Sequence, residues 1–452
     1  MLRSVLKTAF GSLFLSFALA ELAAAQNSAA RMDEIVQSYV DARQFMGSVL
    51  VARGDTVLFS KAYGAANLEW NVPNTTSTKF RIGSMTKQFT AAAVLLLEER
   101  GKLKVDDPVR RYYPDAPPAW DPITLYHLLT HTSGIPNHTT FPEFESLSTS
   151  RTTPDQLVKT FRDRPLEFVP GSEMRYSNSG YVLLGAIIER VSGTSYEKFV
   201  EENIFTPLGM KDSGYDSNQS IIMHRAAGYG PGPDGPVNAR YVDMTVPYAA
   251  GALYSTTADL LRWERSLFGG KVLSKPSLKK MTTPGKSDYA FGLEVSSQSG
   301  RSVIQHGGSI NGFSSRLAYF PDDQVTVIAL SNLRGPGADS VVEKLGALVH
   351  GETVILPSER QEIALPADVL RQYVGTYAIS AGPNVTITLD GEHLFAQISG
   401  QPKLQLFAQS ETSFFMKAVE VQVDFAKDAS GSVTHLVSHQ GGRDTIAKRI
   451  SG

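Results

Sequence analysis

The sequence places a serine and a lysine three residues apart in the segment Ser84-Met-Thr-Lys87, just before a strongly apolar stretch from Phe89 to Leu97. Residues at this spacing lie on one face of a helix, about 5–6 Å apart. A hydroxyl at a helix start also lies where free backbone N–H groups can hold an oxyanion. Ser84 could therefore act as a nucleophile, with Lys87 as its base if burial lowered the pKa of the amine. The alternative is a capping serine and a lysine that reaches solvent.

The Ser-x-x-Lys spacing alone is weak evidence, because it occurs four times in the chain, beginning at Ser4, Ser84, Ser195 and Ser277. The first pair lies in the N-terminal leader, and the last two lie in polar segments typical of exposed helices. Only the pair at Ser84 begins an apolar helix, so only this pair would point into the body of the protein.

A tyrosine and an asparagine two residues apart, Tyr176 and Asn178, precede a second apolar helix that begins near Tyr181. A phenol beside a lysine ammonium can have a lowered pKa, and it can then take a proton from a serine or give one to a leaving group. Asn178 could hydrogen-bond a substrate amide and the lysine together. The alternative is a buried tyrosine followed by a turn-forming asparagine.

The third candidate segment is His306-Gly307-Gly308-Ser309, which lies in a strand-like context. Two glycines would let a ligand approach the backbone closely, and the N–H of Ser309 could donate to an oxyanion. A basic residue followed two positions later by glycine occurs elsewhere in the chain, so this segment counts because it follows the other two in order. A strand with a bulge is the structural alternative.

Helical and strand patterns are mixed from Met32 to about Gly351. We expect a first helix over 32–43 and then a hairpin of strands 47–52 and 56–63, turned at Gly54 and Asp55. The apolar helix that follows Ser84 should end at Gly101. These elements would hold the three segments in one domain, which we place at 26–355.

The C-terminal part of the chain has a different pattern. Prolines and charged residues predict a linker over 356–370. Short alternating runs over 371–452 predict eight strands, with hairpin turns at Asp390-Gly391 and Ser430-Gly431. These strands are expected at 373–379, 385–389, 394–398, 404–407, 413–416, 419–425, 433–439 and 445–450. Eight short strands with tight turns predict a small antiparallel barrel.

The first 25 residues predict a signal peptide. Arg3 and Lys7 give a basic start, an apolar run follows, and small residues precede Gln26. An uncleaved anchor is the alternative, although the apolar run is shorter than the about 20 residues that a spanning helix needs. We therefore expect an exported protein, periplasmic or secreted, with no stable membrane insertion after cleavage.

Composition excludes several classes of function. The 452 residues include 43 Lys+Arg and 45 Asp+Glu, a net charge of −2, which is too balanced for a protein that neutralises a nucleic acid. The chain has no cysteine, so it has no disulfide, no thiolate metal site and no cysteine nucleophile. The oligomeric state is not indicated by the sequence.

Two further patterns suggest a metal or a cofactor, and both fail on closer inspection. His127 and His131 have metal-like spacing, but the glutamate of a zinc protease is absent and no third ligand is in view, so we expect structural histidines and no metal. The stretch Gly230–Gly235 matches a dinucleotide motif in its letters, but its prolines and the lack of a following helix predict a loop. We therefore expect no cofactor.

Taken in order, Ser84-x-x-Lys87, Tyr176-x-Asn178 and His306-x-Gly308 resemble the motifs of the serine β-lactamase and penicillin-binding-protein superfamily, in its class C-like branch. The segments that begin at Leu68, Leu128, Tyr176 and Gly251 are similar to it too. The resemblance covers residues 30 to 350, and the tail resembles the lipocalin-like barrel of some members. It implies an α+β fold in which an antiparallel sheet packs with helices and an all-helical subdomain.

The resemblance implies acyl transfer. Ser84 would attack a carbonyl to form an acyl-enzyme, and Lys87 and Tyr176 would move the proton. The backbone N–H groups of Ser84 and Ser309 would hold the oxyanion, and water would release the acyl group. The residues implied to contact the substrate are Asn178, His306, Gly307 and Gly308.

The chain departs from the family pattern at His306-Gly307-Gly308, where many β-lactamases carry Lys-Thr-Gly. An imidazole is mostly neutral near pH 7, so the fixed cation and the hydroxyl that would hold a β-lactam carboxylate are missing. The resemblance then implies small esters or D-amino-acid-containing peptides as substrates, with weak or no β-lactam hydrolysis. A β-lactamase proper and a non-hydrolysing β-lactam or peptidoglycan sensor are the alternatives. Further candidates for the pocket wall are Gly292, Asn311 and Arg316.

Overall fold

The structure is a computed structural model that describes residues 28–232, 234–380, 382–399, 401–417, 421–440 and 443–451. The chain divides into two compact units, with the boundary between Val349 and His350. All three candidate segments lie in the first unit. The expected signal peptide lies outside the described residues. Within the described ranges, no helix combines the length and the apolar character needed to cross a membrane.

The strands of the first unit fall into one large sheet and several short pairings. They are β1 (Gly47–Arg53), β2 (Thr56–Tyr63), β3 (Ala65–Asn67), β4 (Val72–Pro73), β5 (Phe80–Arg81), β6 (Gly214–Tyr215), β7 (Tyr229–Gly232), β8 (Gly235–Asn238), β9 (Leu253–Ser255), β10 (Glu294–Gln298), β11 (Arg301–Ile310), β12 (Phe313–Phe320) and β13 (Val325–Ser331). The large sheet is antiparallel, in the order β10-β11-β12-β13-β1-β2.

The middle of the large sheet is covered on both faces. Every residue of β13 is buried, as is every residue of β1 except Arg53. Successive strand residues point to opposite faces, so an unbroken buried run needs packing on both sides. The helices that pack on these strands span residues 257–268 and 337–349. The predicted hairpin is confirmed as β1 and β2, with a positive φ of 50° at Gly54 in its turn.

The helices of the first unit include two that are buried on nearly all sides. The α-helices of this unit are α1 (28–41), α2 (Thr86–Glu99), α3 (Leu125–Leu129), α4 (Phe144–Ser148), α5 (Pro154–Arg162), α6 (Asn178–Ser192), α7 (Tyr196–Val200), α8 (Thr206–Leu208), α9 (Tyr248–Gly251), α10 (Thr257–Phe268), α11 (Lys275–Thr282) and α12 (Gly337–Val349). Both α2 and α6 are apolar around most of their circumference, and such helices belong in the core. They pack against each other and against α9.

One prediction about the strands of the first unit is wrong. The glycine-rich stretch expected as a loop forms a hairpin, in which β7 pairs with β8 and Pro231 lies opposite Pro236. A two-stranded ribbon has two free edges, so prolines can occupy it without breaking a central ladder. The prolines are therefore compatible with strands that have a free edge, and they do not exclude strands here.

The second unit is a closed antiparallel barrel of eight strands, which confirms the predicted barrel. The strands are β14 (Gly375–Ile379), β15 (Val385–Asp390), β16 (His393–Ile398), β17 (Leu404–Ala408), β18 (Ser413–Phe415), β19 (Gln422–Lys427), β20 (Val433–Gln440) and β21 (Arg443–Ser451). The expected turn glycines Gly391 and Gly431 have φ values of 59° and 84°. The expected start of the sixth strand, Val419, lies outside the described residues.

The stretch expected as a linker, 356–370, lies within the second unit. It contains a 3-10 turn (Pro357–Glu359) and the start of α13 (Ala367–Arg371). The Ile363 N–H donates a hydrogen bond to the carbonyl oxygen of Ala408 in β17 at 2.9 Å. This stretch therefore has a defined contact with the barrel.

Candidate active site

Ser84 lies in a 3-10 turn (Gly83–Met85) that leads directly into α2. Gly83 has a φ of 51°, and a Cβ at this position would lie 2.9 Å from the backbone nitrogen of Ser309 in β11. A side chain there would be both strained and in collision, so glycine is needed for the close approach. The turn that holds Ser84 therefore lies against the strand that holds Ser309.

Glycine at position 308 has a related role. A Cβ at Gly308 would lie 1.9 Å from the carbonyl oxygen of Ile82, and the Ser315 hydroxyl donates to that same oxygen at 2.8 Å. At Gly307 a Cβ would lie 3.0 Å from Nη1 of Arg316. The two glycines were expected to admit a ligand, but in the structure they make room for other parts of the protein.

Lys87 is fully buried, and its Nζ has three polar neighbours. The Nζ lies 3.0 Å from Ser84 Oγ, 2.9 Å from Asn178 Oδ1 and 2.8 Å from the carbonyl oxygen of Ala250. None of these partners carries a charge. Burial therefore lowers the pKa of the Lys87 amine well below its ordinary value. The condition that the sequence sets for a lysine base is met.

Tyr176 lies two residues before α6, with its ring centroid 4.8 Å from Lys87 Nζ. The sequence predicted a lowered pKa for this phenol, and this prediction is wrong. Burial raises the pKa of Tyr176 above its ordinary value, and a hydrogen bond with Ser84 opposes only part of that effect. Tyr176 is therefore a protonated phenol near neutral pH.

Asn178 is the first residue of α6, and its side-chain oxygen accepts the hydrogen bond from Lys87. Its Nδ2 donates to Asn137 Oδ1 at 3.4 Å and to Thr139 Oγ1 at 3.3 Å. The expected contact between Asn178 and the lysine is therefore present. The side-chain amide is held between the lysine and a neighbouring loop, so its oxygen faces the amine and its nitrogen faces the loop.

His306 lies on β11 but is buried, 2% exposed. Its Nδ1 lies 2.6 Å from the carbonyl oxygen of Gly307, which can only accept, so Nδ1 carries the proton. The unprotonated Nε2 accepts from the Tyr289 hydroxyl at 3.0 Å. Burial lowers the pKa of His306 to about 3, with Lys87 adding to the effect. The imidazole is therefore neutral at physiological pH.

Ser84 opens onto a cleft of about 290 Å³. Among the expected residues, Asn178, Ser309 and Asn311 line it too. Its other lining residues are Gly83, His138, Thr139, Phe144, Ser148, Val242, Val246, Pro247, Ala250, Gly251, Ile310 and Arg334. The structure thus brings the three predicted segments to one cleft.

Two candidates for the pocket wall lie elsewhere. A Cβ at Gly292 would lie 2.5 Å from the carbonyl oxygen of Lys87, so this glycine packs on the backbone of α2. Arg316 forms ion pairs with Glu294 at 3.2 Å and Asp339 at 3.7 Å. Gly292 and Arg316 are not among the described residues that line the cleft.

An edge of the large sheet borders the cleft. Strand β10 pairs with β11 only as far as Gln305, so beyond this residue β11 has no described strand on that side. The stretch from His306 to Ile310 is paired with β12 alone. Because Gly83 lies next to the Ser309 nitrogen, the free side of β11 faces the Ser84 turn. A backbone N–H at such an edge is available to an oxyanion.

Sequence reasoning did not assign to the site several residues that pack beneath the cleft. His131 is buried between the rings of Tyr176, Tyr181 and Tyr289, with centroids 4.3, 5.1 and 4.6 Å away. Its Nδ1 accepts from the Ser177 N–H at 3.1 Å. The histidine thereby holds the backbone between the two functional residues of this segment. We call the cluster of Lys87, His131, Tyr176, Tyr181, Tyr289 and His306 the cleft floor; all six are buried except Tyr176, which is partly exposed.

The signals for these residues were present but ambiguous. His131 attracted notice through its spacing from His127, yet the two rings have different roles, and His127 Nδ1 accepts from the Thr124 N–H at 3.2 Å. Tyr289 belongs to no motif. Arg334 lines the cleft just after β13, and an arginine in that position of a sequence is too common to indicate a site. Only the folded arrangement shows which of these side chains reach the cleft.

Comparisons with known proteins agree with this architecture. The family model described as Beta-lactamase matches residues 32–351, and the domain of unknown function DUF3471 matches residues 359–447. Penicillin-binding protein 4* of Bacillus subtilis is 30% identical to the chain, with 94% of this chain and 99% of the relative covered.

Solved structures of a penicillin-binding-protein homologue and an amidase are also similar to the chain. An octameric penicillin-binding protein homologue from Pyrococcus abyssi matches with a TM-score of 0.65 and 26% identity, over 93% of this chain and 99% of that one. The D-amino acid amidase from Ochrobactrum anthropi matches with a TM-score of 0.61 and 26% identity, over 71% of this chain and 96% of that one. Because the family model spans almost all of the described first unit, the chain belongs to the β-lactamase family and is a serine hydrolase of that family.

Proposed function

We propose that the protein is an exported hydrolase that forms an acyl-enzyme on Ser84 and acts on small esters or D-amino-acid-containing peptides. The observation that carries this proposal is the buried amine of Lys87, 3.0 Å from Ser84 Oγ, with a lowered pKa. A neutral amine beside a hydroxyl is the arrangement that a serine nucleophile needs for its activation. The amidase among the similar structures supports a substrate of this class.

Acylation then follows from the positions of the side chains. Lys87 takes the proton of the Ser84 hydroxyl while the oxygen attacks the substrate carbonyl carbon, and the electron pair of the carbonyl moves onto its oxygen. The N–H groups of Ser84 and Ser309 hold this oxyanion. When the carbonyl forms again, the bond to the leaving group breaks. The proton on Lys87 passes to the leaving atom through the hydroxyl of Tyr176.

Deacylation repeats these steps with water as the nucleophile. Water attacks the acyl carbon and gives a proton to Lys87, and the bond between the carbon and Ser84 Oγ then breaks. The proton returns to Ser84, and the acid leaves. In this scheme Tyr176 acts as a donor rather than as a base, because burial raises the pKa of its phenol.

Weak or absent β-lactam hydrolysis is part of the proposal. His306 stands where many β-lactamases have a lysine, and burial keeps its imidazole neutral. It donates to a backbone carbonyl and accepts from Tyr289, so its polar atoms are already engaged. Neither nitrogen of the ring therefore supplies a positive charge for a β-lactam carboxylate.

A panel of substrates tests the proposal. p-Nitrophenyl esters, D-aminoacyl anilides and nitrocefin are given to the wild type and to Ser84→Ala. We expect sustained turnover of an ester or an anilide by the wild type, little turnover of nitrocefin, and loss of all turnover in the variant. Equal activity in both proteins would overturn the assignment of Ser84. A stoichiometric burst without further release would identify a sensor, and rapid turnover of nitrocefin would identify a β-lactamase.

Export and domain organisation are also proposals. We assign 1–25 to a signal peptide, 26–355 to the catalytic domain, 356–370 to a linker and 371–452 to a lipocalin-like barrel. The basic start and the apolar run of the leader support export. N-terminal sequencing of the protein from the culture medium or the periplasm should give Gln26 as the first residue. An uncleaved leader would contradict the assignment.

A further inference from the structure

The position of the Tyr176 hydroxyl decides whether this group can pass a proton to a leaving atom at Ser84. We propose that His131 is the positioning residue that holds the Tyr176 phenol in place for this step. The inference rests on the proposed function, because the proton goes to the leaving atom of a substrate that is cleaved at Ser84. His131 is not among the described residues that line the cleft, so it acts through Tyr176 rather than on the substrate.

His131 holds the backbone on both sides of Tyr176. Its carbonyl oxygen accepts from the Arg175 N–H at 3.0 Å, and its Nδ1 accepts from the Ser177 N–H at 3.1 Å. The Tyr176 ring lies between these two hydrogen bonds in the sequence, and its centroid is 4.3 Å from that of the imidazole. One residue thus contacts both the backbone and the ring of the proton donor.

The imidazole itself is held by two anchored rings. The centroids of Tyr181 and Tyr289 lie 5.1 and 4.6 Å from that of His131. The Tyr181 hydroxyl donates to a backbone carbonyl of α3 at 2.8 Å, and the Tyr289 hydroxyl donates to His306 Nε2 at 3.0 Å. Close packing against such fixed neighbours leaves a buried side chain few rotamers. His131 is therefore rigid enough to support Tyr176.

The backbone of His131 has a costly conformation. Its φ is 56°, two residues after the end of α3, where helices commonly have a glycine. A Cβ disfavours this left-handed conformation, and such strain is found mainly at functional sites, where the surrounding contacts impose it. Glycine would relieve the strain but would also remove the imidazole. The position therefore keeps a side chain that the turn itself does not need.

A second cost falls on the other nitrogen of the ring. Burial lowers the pKa of His131 well below its ordinary value, so the ring is neutral. Because Nδ1 accepts a backbone N–H, the proton is on Nε2, which is buried without a hydrogen-bond partner among the described residues. An unpartnered buried N–H destabilises a fold. Packing alone does not require either cost, whereas a support for Tyr176 requires both the acceptor and the flat ring.

A displaced phenol should affect two kinds of ester unequally. An alkoxide is a poor leaving group that needs a proton as its bond breaks, whereas p-nitrophenolate leaves without one. Ethyl butyrate and p-nitrophenyl butyrate form the same acyl-enzyme on Ser84, so they differ only in acylation, which kcat/KM reports. Loss of the support should therefore lower kcat/KM more for the ethyl ester. A histidine that only stabilises the fold would lower both values equally.

Two variants separate the acceptor from the backbone conformation. His131→Asn and His131→Gly both suit a positive φ, and both remove the ring. Only asparagine keeps an acceptor, since its Oδ1 is as far along the side chain as Nδ1 of histidine. In His131→Gly the ratio of kcat/KM for the ethyl ester to that for the p-nitrophenyl ester should fall about tenfold, the size of one lost hydrogen bond. His131→Asn should keep this ratio within about twofold.

A double-mutant cycle with Tyr176→Phe shows whether the effect passes through the phenol. In a chain without the phenol hydroxyl, His131→Gly should change the ratio by less than about twofold. An equal change with and without the hydroxyl would overturn the inference, and so would a His131→Asn variant that behaves like His131→Gly. If His131→Gly unfolds at the assay temperature, His131→Leu restores the volume without the acceptor and takes its place.

Two controls keep the remaining outcomes apart. His127 Nδ1 accepts from the Thr124 N–H, and a glutamine can do the same, so His127→Gln should leave the ratio unchanged. A fall in the ratio in this control would show that the ratio reports the fold and not the phenol. If Ser84→Ala remains active on both esters, the proposed function fails. If Ser84→Ala is inactive but His131→Gly keeps the wild-type ratio, only the role of His131 is overturned.

Discussion

The cleft floor and the interior of the barrel are both built from aromatic rings, but they treat polar atoms in opposite ways. In the barrel, Tyr373 and Tyr377 pack with Phe414 and Phe425, and each tyrosine hydroxyl donates to a backbone carbonyl. In the cleft floor the rings surround an amine and two imidazoles.

The difference shows where the protein accepts an energetic cost. Burying a titratable group disfavours its charged form, so Lys87, His131 and His306 all have lowered pKa values. The barrel interior avoids this cost because its polar atoms are neutral hydroxyls with fixed acceptors. The cluster of such groups beside Ser84 therefore distinguishes the cleft floor from the barrel, whose interior is also aromatic.

The largest expected effect comes from removing the buried amine. Lys87→Met fills a similar volume without a base, and kcat/KM for a good ester should fall by at least about a thousandfold. The chain should still fold, because the amine is replaced by an apolar group in a buried position. Thermal unfolding checks the fold and ester release checks the activity. Activity within tenfold of the wild type would show that the cleft floor has no catalytic base.

A buried acid outside the cleft tests whether every such group is catalytic. Glu264 accepts from Thr326 Oγ1, and burial raises its pKa to about 7 from 4.5. The stability that the protonated form contributes is complete below pH 4.5 and is lost as the pH rises to 7. Glu264→Gln should therefore stabilise the protein at pH 8 by about 3 kcal/mol, with little gain at pH 4.

The measurement for Glu264→Gln is denaturant unfolding at the two pH values, beside ester kinetics. We expect activity to stay within about twofold of the wild type, since the residue is not among those that line the cleft. A stabilisation of equal size at both pH values would contradict the raised pKa.

The phenol of the cleft floor should have the next largest effect. Tyr176→Phe removes only a hydroxyl, and kcat should fall about a hundredfold if this group passes the proton to the leaving atom. The loss should be larger for an alkyl ester than for a p-nitrophenyl ester, because a poor leaving group needs that proton more. Equal losses on both esters would contradict the role of a donor.

The matched change in the barrel should be the smallest. Tyr377→Phe removes a hydroxyl that donates to the Tyr373 carbonyl oxygen at 2.8 Å. The free energy of unfolding should therefore fall by about 1 kcal/mol. Ester kinetics should not change. A loss of activity comparable with that of Tyr176→Phe would break the distinction between the two aromatic interiors.

Much of this arrangement could be predicted from local patterns. The motif around Ser84 could be recognised because a lysine three residues later shares its helical face, and the barrel strands could be recognised from their alternation. The predicted first and last residues of the strands were less accurate. Tyr373 was expected to begin the first barrel strand, but that strand begins at Gly375, and the buried Tyr373 ring packs below it.

The rest could not be predicted, because it depends on contacts between distant segments. The sign of the pKa shift of Tyr176 depends on how burial of the phenol compares with its hydrogen bond to Ser84, and neither can be read from the spacing. The role of Gly308 depends on the Ile82 carbonyl, more than 200 residues earlier.

The position of β1 in the large sheet, between β13 and the edge strand β2, has a consequence for synthesis. Gly47 near the start of the first unit lies opposite Ser331 near its end, and β11, with Ser309, joins the sheet through the same late strands. Early helices emerge from the ribosome long before their sheet can close, so assembly of the nucleophile with its oxyanion donor waits for nearly the whole unit. A nascent chain that stops short of β13 should be catalytically silent and should expose an unpaired strand edge to proteases and chaperones.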